Sequence, residues 1–244
     1  MGLSIQVGYL ANAISKDSEE VEIAFSSIKR IDQALAAEGY DRLGEPTDCE
    51  VWTVDMIGYS GLHALREVAA MYWKGRSIPR DTLLDGSQRQ HADALAKEFF
   101  EHLSGKGNLT LVGKAFRKIL KAKEKPNQPP FVHLSIHSDC DGYYVPVPFE
   151  TPIVPKRFTK DCEHLWPLGS VMRLEAEVSQ LAWHLEIPAK LQYDDEELHA
   201  MINCPDSTPT KALWLAQPIA THACLVLREA CNRSLRTGAA IHFC

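Results

Sequence analysis

The sequence predicts an α+β fold: a mainly helical chain around a small mixed or antiparallel sheet, with a β-hairpin at 131–149. Three observations carry that prediction. Leu3, Ile5, Val7 and Tyr9 alternate with polar or small residues, as a strand with one buried face requires. Val171, Leu174, Val178, Leu181 and Leu185 recur at spacings of 3 and 4, the stripe of an amphipathic helix. The chain closes on AAIHFC, a second strand. Strands at both termini need partners for their apolar faces, so one sheet is expected rather than independent domains.

The elements follow in order. Asp17 and Glu20 form a capping box before a helix carrying Val21, Phe25, Ile28 and Leu35, with Gly39 placed to end it. VWTVDM (51–56) reads as a short strand. Ser60 opens a helix with Leu62, Leu65, Ala69, Tyr72 and Trp73 on one face, ending at Gly75. Ser87 with Gln90 opens another, and a third runs over 110–123. EKPNQPP (124–130) holds three prolines in seven residues and reads as a linker. One domain over 1–244 is expected: a largely helical half (1–123), the linker, then the hairpin with further helices (131–244). Ser170 caps the helix of Leu174. The last helix uses Ile219, Ala223, Val226, Leu227 and Ala230 and stops at Gly238.

Bulk properties exclude several classes. The 244 residues are 45% hydrophobic and 24% charged, enough apolar side chain to offset ordering entropy. No run approaches the ~18 apolar residues of a membrane span, and the polar-interrupted start lacks a secretory signal's apolar core. Seven cysteines, odd in number and without a C-x-x-C pair, point to free thiols and a cytoplasmic location. The net charge of −6 makes nucleic acid an unfavourable partner. It is unevenly spread: residues 16–50 carry ten acids and four bases, Asp194-Asp195-Glu196-Glu197 is a block of four negatives, and residues 105–125 carry seven bases and one acid. Solvated helix faces account for such blocks without any partner.

FVHLSIHSDCDGYYVPVPF (131–149) is the stretch that bears most on function. Asp141-Gly142 suits a tight turn between two strands. Parity then sets Val132, Leu134 and Ile136 on one face and His133, Ser135, His137 and Asp139 on the other, with Tyr144 beside them. Pro146 and Pro148 mark an edge strand. His133, Ser135, His137, Asp139 and Tyr144 are therefore expected on one surface at the rim of the sheet, with Tyr143 exposed beside them, and His133, His137, Asp139, Tyr143 and Tyr144 as a binding face for a protein partner or small ligand. The alternative is a hydrolase-like site, with His137 oriented by Asp139 as general base on an anionic or polar substrate. Against both stands a purely structural turn.

No metal site is expected. His133 and His137 would lie roughly 13 Å apart on a strand, and Cys162 with His164 has no second ligand pair. No cofactor is implied, since no Walker loop, G-x-G-x-x-G, G-x-S-x-G or H-E-x-x-H occurs. The helix starts at Ser60 and Ser170 could receive an anion. Arg173 is placed either to orient one or to pair with Glu177 at i, i+4. These two starts and the hairpin are candidates to converge on one pocket.

HSDCDGYYVP, together with the opening GLSIQVGYLA, GYSGLHALR and the closing LRTGAAIHFC, resembles a family of uncharacterised bacterial proteins. The resemblance spans both termini and implies one unit of cytosolic origin, with no activity, cofactor or site residue attached. The reading that results is a non-catalytic binding protein, immunity-type or regulatory, working through the hairpin.

Overall fold

The first and last strands of the chain lie side by side in the middle of one sheet. A computed structural model describes residues 3–16, 19–87, 131–137, 142–153, 167–203 and 212–244. Its elements are β1 (Leu3–Val7), α1 (Tyr9–Ser15), α2 (Glu20–Ala37), β2 (Trp52–Met56), α3 (Gly58–Trp73), α4 (Val132–Ile136), β3 (Gly142–Val145), β4 (Gly169–Ser170), α5 (Val171–His184), α6 (Glu196–Asn203), α7 (Leu213–Ala216), α8 (Pro218–Thr237) and β5 (Ile241–Phe243). The sheet order is β2-β1-β5-β3-β4. β1 runs antiparallel to β2 and β5, β3 antiparallel to β5, and only β4 is parallel to its neighbour β3. This is the α+β class with a mixed sheet that the sequence predicts.

Strand parity sorts two cores. Leu3, Ile5, Val7, Tyr144, Ile241 and Phe243 point to the face covered by α3, α5 and α8. Tyr143 and Val145 point to the other, where α1 and α2 supply Leu10, Ala13, Ala24, Ile28, Ile31 and Leu35. Each large aliphatic chain buried this way stabilises the fold by about 1.5–3 kcal/mol. α8 meets the sheet with small side chains, and its Cys224 and Cys231 are free, buried thiols in the core.

α2 departs from its expected stripe. Ala24, Ile28, Ile31 and Leu35 are buried, while Phe25 is exposed. α2 packs chiefly against α1, and Ala24 lies in the same buried cluster as Leu10 and Ala13 of that helix. Its end is as expected: Gly39 (φ +83) lets Tyr40 N–H reach Leu35 O and Gly39 N–H reach Ala36 O.

The larger correction concerns 131–149, which is not a hairpin. Residues 132–136 form the helix α4, and β3 pairs with β5 and β4 instead. β3 is not an edge strand either; it has a neighbour on each side and stops at Val145, before Pro146. Ser170 does not cap α5 with its side chain; its Oγ donates to Val147 O. The helices expected at 87–103 and 110–123, the linker at 124–130, residues 138–141, and Cys162 with His164 lie outside the described residues, as does Asp17 of the capping box.

Gly169 is a position where only glycine fits. A Cβ there would stand 2.1 Å from Cδ1 of the fully buried Tyr144. Gly169→Ala is expected to lower the unfolding free energy by about 1–3 kcal/mol or more. Gly39→Ala meets no neighbouring atom within 4 Å and should cost about 1 kcal/mol, from its positive φ alone. Urea denaturation compares the two, and equal costs would contradict the close packing at Gly169.

Candidate functional site

Five residues of helix are too few to persist on their own hydrogen bonds. α4 is held at both ends by side chains from neighbouring helices. At its N-terminus, Glu177 of α5 accepts His133 N–H through Oε1 (3.1 Å) and Leu134 N–H through Oε2 (2.8 Å). At its C-terminus, Arg66 of α3 donates from Nε to Leu134 O (2.8 Å) and from Nη2 to His137 O (2.6 Å). The guanidinium at the negative end complements the helix dipole, and the carboxyl group at the positive end engages N–H groups that the helix itself leaves free.

The ring of His133 completes the frame. Ser170 N–H donates to its Nδ1 (3.0 Å), so Nε2 carries the proton and donates to Glu150 O (3.2 Å). Tyr144 Oη donates to His133 O (2.9 Å). His137 lies flat on Tyr144, with ring centroids 4.0 Å apart, and meets Phe243 edge-on at 4.7 Å. Gly142 makes room for it, since a Cβ there would approach His137 Cε1 to 2.8 Å.

Electrostatics follow from burial. Desolvation lowers His133 to about 4, so the imidazole is neutral. It raises Glu177 to about 8, against the opposing pull of its two backbone bonds and of Arg173. Burial also pushes the Tyr144 hydroxyl well above its ordinary range.

His133, Ser135, His137, Tyr143 and Tyr144 were expected on a surface, and all five are buried. With 131–137 helical, the parity that set the histidines opposite the apolar residues no longer holds. Tyr143 faces the α2 side of the sheet and stacks on His242 at 4.6 Å. Asp139 lies outside the described residues. Arg173 pairs with Glu150 rather than with Glu177. Of the two helix starts, that of α5 does meet α4, through Ser170 and His133. Ser60 is exposed in the first turn of α3, beside Gly86, and Arg66, about 9 Å further along the axis, is the α3 residue that reaches α4. Sequence reasoning missed Arg66. Its signal was a cation within the otherwise largely apolar run LHALREVAA, where a buried guanidinium must find acceptors.

The described residues hold 22 acidic and 13 basic side chains. Several carboxylates are committed to structure. Glu45 is buried and accepts Ala240 N–H (2.8 Å), and desolvation raises it to about 7. Asp195 caps α6 through Glu197 and Leu198 N–H. Glu50 bridges Arg233 and Arg236. Glu19, Glu20, Glu22, Asp41 and Asp48 remain exposed, as do Asp194, Glu196 and Glu197. Among the described residues no group of three or more His, Cys, Asp or Glu is placed to hold a metal, and no helix is long and apolar enough to cross a membrane.

An acidic α+β protein with a buried polar centre and carboxylates left at its surface is the class these features define. The chain belongs to the family described as "Putative DNA-mimic protein", whose model matches residues 1–243. No curated protein and no solved structure matches it.

The buried groups set a pH optimum for stability. His133, His222 and His242, each lowered to about 4 by burial, protonate more readily once unfolded. Their contribution is complete above their ordinary value of 6.5 and is lost as pH falls from there towards 4. Glu177 and Glu45 act in the opposite sense, because the fold favours their protonated forms. Their contribution is complete below 4.5 and is lost as pH rises through about 7 for Glu45 and about 8 for Glu177. Unfolding free energy is expected to peak at about pH 6–7 and fall on both sides. Glu177→Gln should flatten the alkaline decline. Denaturant titrations from pH 4 to 9 would contradict this if stability rose throughout.

Proposed function

We propose that this protein is a non-catalytic binding protein that presents exposed carboxylates to the phosphate-binding surface of a DNA-binding protein, and so competes with DNA. The observation that carries this reading is the family match over residues 1–243, on a chain whose described residues carry an acidic excess. Lys and Arg side chains placed to neutralise phosphates will also take carboxylates in charge-assisted hydrogen bonds.

The face we favour is the acidic tract at the start of α2 and along the connection to β2: Glu19, Glu20, Glu22, Asp41 and Asp48, all exposed. Ile23 and Phe25 stand among the first of these carboxylates, 58% and 48% exposed. Apolar side chains there add contacts that a protein partner can bury. The block at Asp194–Glu197 is the weaker candidate, because Asp195 is occupied as a cap. An immunity-type or regulatory role follows if occupying the partner's DNA site blocks its activity. On this reading the histidine cluster shapes the scaffold and touches no partner.

The test uses the immobilised full-length chain to capture proteins, each then purified and titrated against both the chain and duplex DNA. The captured proteins are expected to bind DNA, and duplex DNA should displace the chain from them. Affinity should fall at least tenfold between 50 and 200 mM salt, as ionic contacts that take the place of those to phosphate require. Combined Glu19→Lys, Glu20→Lys and Glu22→Lys substitutions should weaken binding at least tenfold. A partner that holds DNA and the chain simultaneously would overturn the proposal.

A further inference from the structure

A cleft of about 370 Å³ opens between the end of α3, the connection after it, the end of α5 and the start of α7, lined by Tyr72, Arg76, Ile78, Arg80, His184 and Leu213. Its size falls in the range of small-molecule sites. The lining includes the rings of His184 and Tyr72, on which Trp183 and Phe131 pack from outside the lining. Trp183, 76% exposed, meets His184 edge-on at 4.8 Å; His184 lies 3.6 Å from Tyr72; and Tyr72 meets Phe131 edge-on at 5.8 Å. Burial keeps the His184 imidazole below its ordinary pKa, so it is an uncharged ring at neutral pH.

The lining also carries positive charge, from Arg76 and Arg80. Arg80 is held by Glu186, whose second carboxylate oxygen accepts Leu213 N–H (3.0 Å). Arg76 is exposed and forms no ion pair among the described residues.

Backbone strain singles out the same cleft. Phe131 (φ +61) and Glu186 (φ +57) are the non-glycine residues with positive φ among the described residues. That conformation is unfavourable for a bulky side chain and persists only where the surroundings enforce it. Phe131 backs Tyr72 of the lining. Glu186 ends α5 where glycine would be the easy choice, and its carboxylate fixes Arg80 and the first residue of α7. Both strained positions thus shape one cavity.

We propose that this cleft binds a small organic anion carrying a planar ring, with the anionic group between Arg76 and Arg80 and the ring against His184 and Tyr72. Aromatic phosphates and aromatic carboxylates share that chemistry. The cleft is separate from the acidic tract offered to a protein partner, and the two proposals stand or fall independently.

Isothermal titration of the full-length chain with phenyl phosphate, benzoate, inorganic phosphate and benzyl alcohol tests the proposal. One of the two aromatic anions is expected to bind saturably at one site, and it identifies which anionic group is preferred. Inorganic phosphate and benzyl alcohol should be at least tenfold weaker. Arg76→Ala should weaken the preferred anion at least tenfold with an unchanged melting temperature, and Arg76→Lys should recover part of the loss. Glu186→Gly should maintain or raise the melting temperature while weakening binding. No saturable binding of either aromatic anion, inorganic phosphate binding as tightly as they do, or undiminished affinity in Arg76→Ala would each overturn it.

Discussion

The five-residue helix α4 exists because a carboxyl group and a guanidinium from two other helices occupy its ends. Arg66 carries a desolvation cost and burial holds Glu177 towards its protonated form, and each makes two hydrogen bonds to the backbone of the turn. Much of the interior is set by that turn. It fixes where His133 meets the start of α5 and where Tyr144 ends its side chain, and so how β3 lies against β4. Gly142 and Gly169 follow as necessities, because His137 and Tyr144 occupy the space any larger residue would need. Removing either clamp leaves buried backbone groups of the turn unpaired.

Much of the fold was legible in the sequence. Alternation at Leu3, Ile5 and Val7 and in AAIHFC marked strands that do pair with each other, and the 3–4 spacing from Val171 to Leu185 marked α5. The end of α2 at Gly39 and that of α8 at Gly238 were visible because both glycines take the left-handed conformation that terminates a helix. The misreading at 131–137 has a physical origin. Every residue of α4 is buried, so no solvent-facing side imposes a helical period, and Val132, Leu134 and Ile136 imitate a strand. The interactions that decide for helix come from Arg66 and Glu177, 68 and 43 positions away from Leu134, where no local pattern reports them. The expected surface of histidines and tyrosines failed with that strand.

A consequence is a division between interior and exterior. The chemically suggestive residues, histidines and tyrosines near a conspicuous motif, are structural and sit in the core. Surface character resides in side chains that look ordinary one by one: carboxylates at the start of α2, and arginines beside a strained turn. The net charge of −6 conceals this, since acidic excess in one region is partly cancelled by bases in another. Membership of the family described as "Putative DNA-mimic protein" fits the exposed carboxylates found among the described residues.

Native-state hydrogen exchange at the His133 and Leu134 amides tests the clamped turn most directly. If Glu177 and Arg66 hold α4 as part of the core, both amides exchange only through global unfolding, with the same free energy as Ile5 in β1. Exchange of these two amides through a local opening several kcal/mol easier than that of Ile5 would show that α4 is an independent turn, and that the interior does not depend on it.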